Sequence, residues 1–362
     1  MERGLAERHG RSRRETLMAR FLVRRVVFAI LLVFISSSAA LFLTRLAPGD
    51  LTIALGPSPS RAEVAAARAR FDLDRPALEQ WGLWMSRAVR FDFGESLQYG
   101  RPVGPLVVRA AGNSAVLGVT ALVVATLLGI GLGIFTGSIV GHSFKGAGPA
   151  PVGHPFKGAG KGATTAAATV VRAISIACLS LPPLITSLLL VFVAARTGWF
   201  PLGGMTSPGT AETAWGPWLA DVAAHLPLPV IALALPVAAT FERLQSQALG
   251  ETLHLPFVAA ASARGVSRQS AVLRHAWPVS LRAICAIYGI VIGSVLSGSF
   301  VVEYVTAWPG LGRTMYEALR ARDIYLVAGC AAMGASFLAL GTLAGDLLLA
   351  AVDPRVREGL EE

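Results

Sequence analysis

Charge is scarce in this 362-residue sequence: Asp, Glu, Lys and Arg together make up 15% of it, where a soluble domain carries about 25%. Hydrophobic residues reach 54% and mean hydropathy is +0.59, which points to a membrane-spanning chain. Cysteine is rarer still. Cys178, Cys285 and Cys330 lie in apolar stretches without metal-ligand spacing and read as small buried hydrophobes. There is no HExxH, no G-x-S-x-G elbow, no Cys/His cluster and no phosphate-binding loop. The nearest approach to the last, GAGKGATT, has Pro155 where the first glycine is required, and Gly162 follows Lys161. No resident metal or cofactor is expected, and the enzyme classes that those motifs carry are excluded.

Acids are outnumbered by bases, leaving a net charge of +10. The basic residues flank apolar runs rather than forming one face, so topology and anionic membrane lipid explain them and nucleic acid is not an expected partner. Six charge-free runs predict spans: Val26–Thr44, Asn113–Gly141, Ala173–Ala195, Val222–Phe241, Ala283–Val302 and Ile324–Gly345. A bilayer core of about 30 Å takes roughly twenty helical residues. His225, Pro227, Pro229 and Pro236 interrupt the fourth run, which is expected as a kinked span. The fold class is all-α and polytopic, with a small helical outer segment between the first two spans. An even count puts both termini on one side. The eight arginines among residues 1–25 make that side cytoplasmic, as do the basic stretches after the second and fourth spans. Residues 45–111 carry nine arginines, but also seven acids in a segment long enough to escape the positive-inside rule.

That outer segment should fold. Ser60-Arg-Ala-Glu63 is a capping box opening a helix through about Phe71. A second helix from Asp74-Arg75-Pro76 places Trp81, Trp84, Met85 and Ala88 on one face, as a cap packed on the membrane surface. Residues 1–20 read as a basic cytoplasmic tail, with Met18 an alternative start and no secretory cleavage site. Residues 140–162 carry a tandem repeat, VGHSFKGAG and VGHPFKGAG, and read as a flexible Gly/Pro linker.

Three places stand out. Val301–Arg313, VVEYVTAWPGLGR, separates two spans with a Trp-, Pro- and Gly-rich turn and places Glu303 at its rim. Asp346 lies near the end of the last span and reads as a helix-packing group. The 249–282 connection holds PFVAAASARG, in which Pro256 opens a helix with Phe257, Val258 and Ala261 on one apolar side. Ala259, Ala260 and Ala263 keep the rest narrow, Gly265 stops it and Ser267 caps the next. A smooth, glycine-stopped helix suits a partner's groove, and Arg264 and Arg268 suit acidic groups there. An ordinary interfacial connector fits the same residues.

At these residues the chain resembles the inner-membrane permease subunits of binding-protein-dependent ABC importers of the dipeptide, oligopeptide and nickel type. The resemblance runs from Phe21 to Arg357 through TRLAPGD, FDLDRPALEQW, FDFGESLQYGRPV, WFPLGG, the Ala263–His275 segment, VVEYVTAWPGLGR, ARDIYLV and DPRVR. It implies a transmembrane domain over 21–357, followed by a short 358–362 tail, in a bacterial inner membrane. It implies that Phe257, Ala259, Ala260, Ala261, Arg264, Gly265 and Arg268 form a coupling loop docked on an ATPase. Ala259 and Ser262 stand where that family often carries charged residues. The implied partners are two ABC ATPase subunits holding ATP and Mg, a second related permease and an extracytoplasmic substrate-binding protein. The implied cargo is di- or oligopeptide, with nickel chelates or another small solute as the alternative. A secondary transporter is the competing class, and the sequence offers neither the inverted repeat nor the buried ion pair that class needs.

Overall fold

In hydrocarbon every backbone N–H and C=O must be satisfied internally, so long apolar runs become helices. The computed structural model describes residues 2–46, 60–71, 74–140, 163–210 and 214–352. Among these, five helices are long and apolar enough to cross a membrane: Val23–Leu46, Val103–Ile139, Pro227–Thr252, Arg268–Val305 and Ile324–Ala351. A bent pair, Ala166–Ser180 with Pro183–Thr197, meets the same test only when its two halves are taken together as one broken span.

Helix α1 (Glu2–Leu46) carries the first span to a cap made of α2 (Arg61–Arg70) and α3 (Ala77–Ala88). Residues 2–20, within the expected basic tail, are helical and continuous with the first span, in keeping with their Arg, Glu, Ala and Leu content. The capping box forms as expected: Ser60 Oγ accepts from the Glu63 N–H, and Glu63 accepts from the Ser60 N–H at 2.7 Å. That backbone donor holds the Glu63 carboxyl below its ordinary range. The expected face of α3 is also found. Trp84 is buried, Trp81 Nε1–H donates to Ser38 on α1 at 2.9 Å, and Met85 and Ala88 pack beside them.

From the cap, α4 (Val103–Val140) crosses to the opposite end of the molecule. It begins ten residues before the expected span, because a charge-free run ignores charges such as Arg109 that a helix end tolerates. Residues 141–162, with the tandem repeat, lie outside the described residues. The return through α5 (Ala163–Ser180) and α6 (Pro183–Thr197) is not the single straight span expected over 173–195. It bends by 108° at Leu181-Pro182, where proline removes an N–H and bars α geometry from the residue before it. The fourth expected span is shifted. Val222–His225 ends a separate helix, α7 (Trp215–His225), and α8 (Pro227–Thr252) is the crossing helix with Pro236 inside it.

After α8 come the short α9 (Pro256–Ala263), a helical turn at Arg268–Ser270 and a wider π-helical stretch, Ala271–Ala276. These lead into α10 (Trp277–Gly298), which returns to the cap end six residues earlier than the charge-free run began. There α11 (Phe300–Val305) and α12 (Leu311–Ala321) form the turn before α13 (Ile324–Val352) crosses back. Both ends of the described chain therefore lie at the end that carries α9. Asp346 on α13 pairs with Arg25 on α1, the helix-packing role expected of it. Residues 353–362, with DPRVR, lie outside the described residues.

Two close crossings organise the bundle. On α4, Gly129, Gly133 and Gly137 recur every fourth residue against α8, and a methyl on Gly133 would stand 2.9 Å from the Glu242 carbonyl. On α10 and α13, Gly289 and Gly345 face each other with no room for a Cβ. Small residues at such crossings let backbones approach and replace the hydrophobic drive that lipid cannot supply.

Candidate functional site

The end of the molecule opposite the cap is shaped by α9. Pro256 occupies its first position, where a missing N–H costs nothing, and Leu255 caps it in extended geometry. Gly265 closes it at φ +84°, a conformation L side chains resist, and its N–H donates to the Ser262 carbonyl at 3.0 Å. Ser267 Oγ accepts from the Ser270 N–H, so the next turn starts where the sequence expects.

Eight residues at 100° each leave α9 with one buried arc. Val258 and Ala261 fill it, packed with Leu249, Val272 and Ala276 and backed by Ile134, Leu253 and Val266. Phe257 sits at the margin of that arc and is 41% exposed, so it does not join the apolar side expected for it. Ala259, Ala260, Ala263, Arg264 and Gly265 are all exposed. The seven expected residues thus divide. Phe257, Ala259, Ala260, Arg264 and Gly265 form the outward surface, while Ala261 anchors the helix. Arg268 is also an anchor rather than a free cation: its guanidinium donates to the Ser138 carbonyl near the end of α4 at 2.7 Å. Leu249–Thr252, expected in the loop, complete α8 instead.

Behind this surface runs a polar seam that the sequence reading missed. Thr136 Oγ1–H donates to Glu242 at 2.6 Å, Gln245 Nε2–H to Ser280 at 2.7 Å, and Arg172 to Ser246 Oγ at 3.1 Å. Through these bonds α8 is tied to α4, α10 and α5. The available signal was the spacing of Glu242, Gln245, Ser246 and Leu249 along one helix face, which a charge-free criterion cut off at Phe241. The packed arc joins α9 to α8, and the seam joins α8 to three neighbouring helices.

At the cap end the chemistry differs. Glu303 was expected at a rim and is instead fully buried. Its carboxylate accepts from Ser114 Oγ at 2.6 Å, Ser299 Oγ at 2.5 Å and the Gly312 N–H at 2.8 Å, the last at the start of α12. Four donors converge on it once the Arg313 N–H, at 3.3 Å, is included, and a negative charge suits a helix N-terminus. Trp308 is buried beneath the Pro-Gly turn and its Nε1–H donates to the Asn113 carbonyl at 3.0 Å. A second lock lies at Asp323, which accepts from Ser96 Oγ at 2.5 Å and from the Gln98 N–H at 3.1 Å. Burial pushes the Asp323 carboxyl above its ordinary range, against the pull of those hydrogen bonds. Nearby, burial and then the Glu317 carboxylate push the Tyr99 phenol up to about 12, so it remains a donor to Glu317 at 3.0 Å. Among the described residues no group of His, Cys, Asp and Glu could hold a metal.

Fold and surface together define a polytopic all-α membrane protein with a shaped connection at one end and a folded cap at the other. The chain belongs to the family described as the binding-protein-dependent transport system inner membrane component, whose profile matches residues 158–358. The N-terminal component of the same systems matches residues 18–101. The chain is therefore a multi-pass inner-membrane transport component. It is 31% identical to the oligopeptide transport system permease protein OppB of Mycobacterium tuberculosis, covering 94% of this chain and 99% of the relative. It is 26% identical, over the same shares, to the oligopeptide transport system permease protein AppB of Bacillus subtilis. A solved chain of the MetNI methionine ABC transporter in an inward-facing form aligns with a TM-score of 0.48 at 18% identity, covering 68% of this chain and 96% of that one.

Proposed function

We propose that this chain forms half of the translocation pore of an ATP-driven importer of di- and oligopeptides, with ATP and Mg held on separate subunits. The observation that carries the reading is α9: a short helix with an exposed alanine face, stopped by a left-handed glycine and seated on the end of α8. Small side chains allow a partner's groove to approach the α9 backbone, and Arg264 supplies a charge at its rim. Closure of two ATPases on nucleotide would draw two such helices together, one from each permease, and the displacement would pass through α8 and its polar seam to the spans. Peptide as cargo is supported by the names of the relatives from M. tuberculosis and B. subtilis. The α9 end is assigned to the cytoplasm, with both termini, by the arginines of residues 1–25. The cap end then faces the substrate-binding protein.

Purification of the tagged chain in mild detergent, with the co-purifying subunits identified and the eluate assayed for ATPase, tests this reading. Recovery of two ATPase subunits and a second permease, with ATP-dependent peptide uptake after reconstitution, is the expected result. A chain that purifies alone without ATPase activity would overturn it.

A further inference from the structure

The crossing helix α8 has two unlike sides. Phe241, Glu242, Gln245, Ser246 and Leu249 are buried against its neighbours. On the other side Pro236, Thr240, Arg243, Gln247 and Glu251 recur at intervals of three and four residues, and so share one helix face. Arg243, Gln247 and Glu251 are exposed, and Pro236 and Thr240 are half-buried. No hydrogen bond or ion pair reaches the Arg243 guanidinium among the described residues, while Gln247 donates to Glu251 at 3.4 Å.

Depth makes this face unusual. The 26 residues of α8 span about 39 Å, against about 30 Å of hydrocarbon. Arg243 lies about 13 Å from the Thr252 end, so with about 9 Å of the helix in excess of the hydrocarbon it sits about 4–13 Å inside the edge nearest α9. A charge turned to lipid at such depth is costly, and charged residues within spans face a water-filled cavity or the bundle interior. An apolar exposed face is visible elsewhere in the same chain: α6 exposes Leu184, Leu188, Leu189, Phe192 and Val193. The exposed face of α8 has none of that character.

We infer that the Pro236–Glu251 face of α8 is a wall of the aqueous translocation path, open toward the α9 end, and that Arg243 is a cationic station for a carboxylate of the passing solute. A guanidinium pairs with a carboxylate through two parallel N–H···O bonds, and does so most strongly where water is limited. For a peptide the group present whatever the side chains is the C-terminal carboxylate, so one arginine serves cargo of varied sequence. The carboxylate assignment rests on the proposed peptide function; the wall assignment does not.

The test uses the assembled transporter in inside-out vesicles, with the three native cysteines replaced by alanine and single cysteines placed at Arg243, Gln247, Leu249 and Leu188. Membrane-impermeant thiol reagents should modify positions 243 and 247 and leave 249 and 188 unmodified until detergent denaturation. With Arg243 present, an anionic reagent should modify Gln247→Cys several-fold faster than a cationic one, and Arg243→Gln should abolish that preference. Silence at both 243 and 247 would overturn the wall assignment, whether lipid or the second permease covers the face. In proteoliposomes, Arg243→Gln should reduce uptake of a free-acid peptide toward that of its C-terminal amide, and Arg243→Lys should restore most of the difference. Equal uptake of acid and amide by the unsubstituted complex would overturn the carboxylate station. Absence of any peptide uptake by that complex would count against the proposed cargo, while the labelling pattern would still decide the wall.

Discussion

The two ends of this molecule are held by different chemistry. At the cap end, buried carboxylates gather donors from distant parts of the chain: Glu303 joins α4, the end of α10 and the start of α12, and Asp323 joins the segment before α4 to α13. At the α9 end the helix is seated on an apolar arc with the hydrogen-bonded seam of α8 behind it, and the outward surface is Phe257, alanine, glycine and one arginine. A converging set of hydrogen bonds to a buried charge fixes one geometry, because each orphaned donor costs about 1–3 kcal/mol. Packed methyl groups hold a helix in place without specifying a partner for every atom. The cap end is therefore held by hydrogen bonds converging on buried carboxylates, and α9 by apolar packing against the end of α8.

The largest effect that would break this comparison is expected at Glu303. Glu303→Ala leaves four donors without their acceptor and should lower the thermal midpoint of the detergent-solubilised protein by many degrees, or prevent recovery of monodisperse protein; Glu303→Gln should lower it less. Unfolding curves matching the unsubstituted chain would show that the cap end is not held as described. Next comes the crossing of α4 and α8. Gly133→Leu should cost about 1–3 kcal/mol through overpacking, whereas Gly131→Leu, where nothing lies within 4 Å, should leave the midpoint almost unchanged. Equal shifts in the two variants would contradict the close crossing. The sharpest effect on function, with a stability cost confined to one turn, belongs to Gly265→Val. Its φ of +84° makes the substitution strained by about 1–3 kcal/mol, locally, in open space. Insertion and subunit recovery should persist, with uptake lost while ATP hydrolysis continues.

What could be read from the sequence follows the same division. The capping box at Ser60, the aromatic face of α3, the proline start and glycine stop of α9 and the crossing character of the apolar runs are local patterns, and all are found. The misplaced features involve partners far apart in the chain. Ser114 and Glu303 are 189 residues apart, and no spacing links them, so a buried hub read as a rim residue. The polar seam failed to register for a related reason, since Glu242 looks like the end of a span when judged by charge and like its core when judged by packing. The division of the α9 residues, with Ala261 and Arg268 inward and Ala259, Ala260 and Arg264 outward, depends on the arc that Leu249 and Val272 bury. Periodicity within eight residues does not fix that arc.

The most direct test of the central claim is site-specific photo-crosslinking along α9 in the assembled transporter. A photoreactive residue at Ala259 or Ala260 should capture an ATPase subunit in high yield, with the yield changing when ATP or vanadate is added, while one at Val258 should crosslink within the chain. Capture of lipid alone from positions 259 and 260, or equal ATPase capture from 258, would contradict the assignment of α9 as the element that couples ATP to transport.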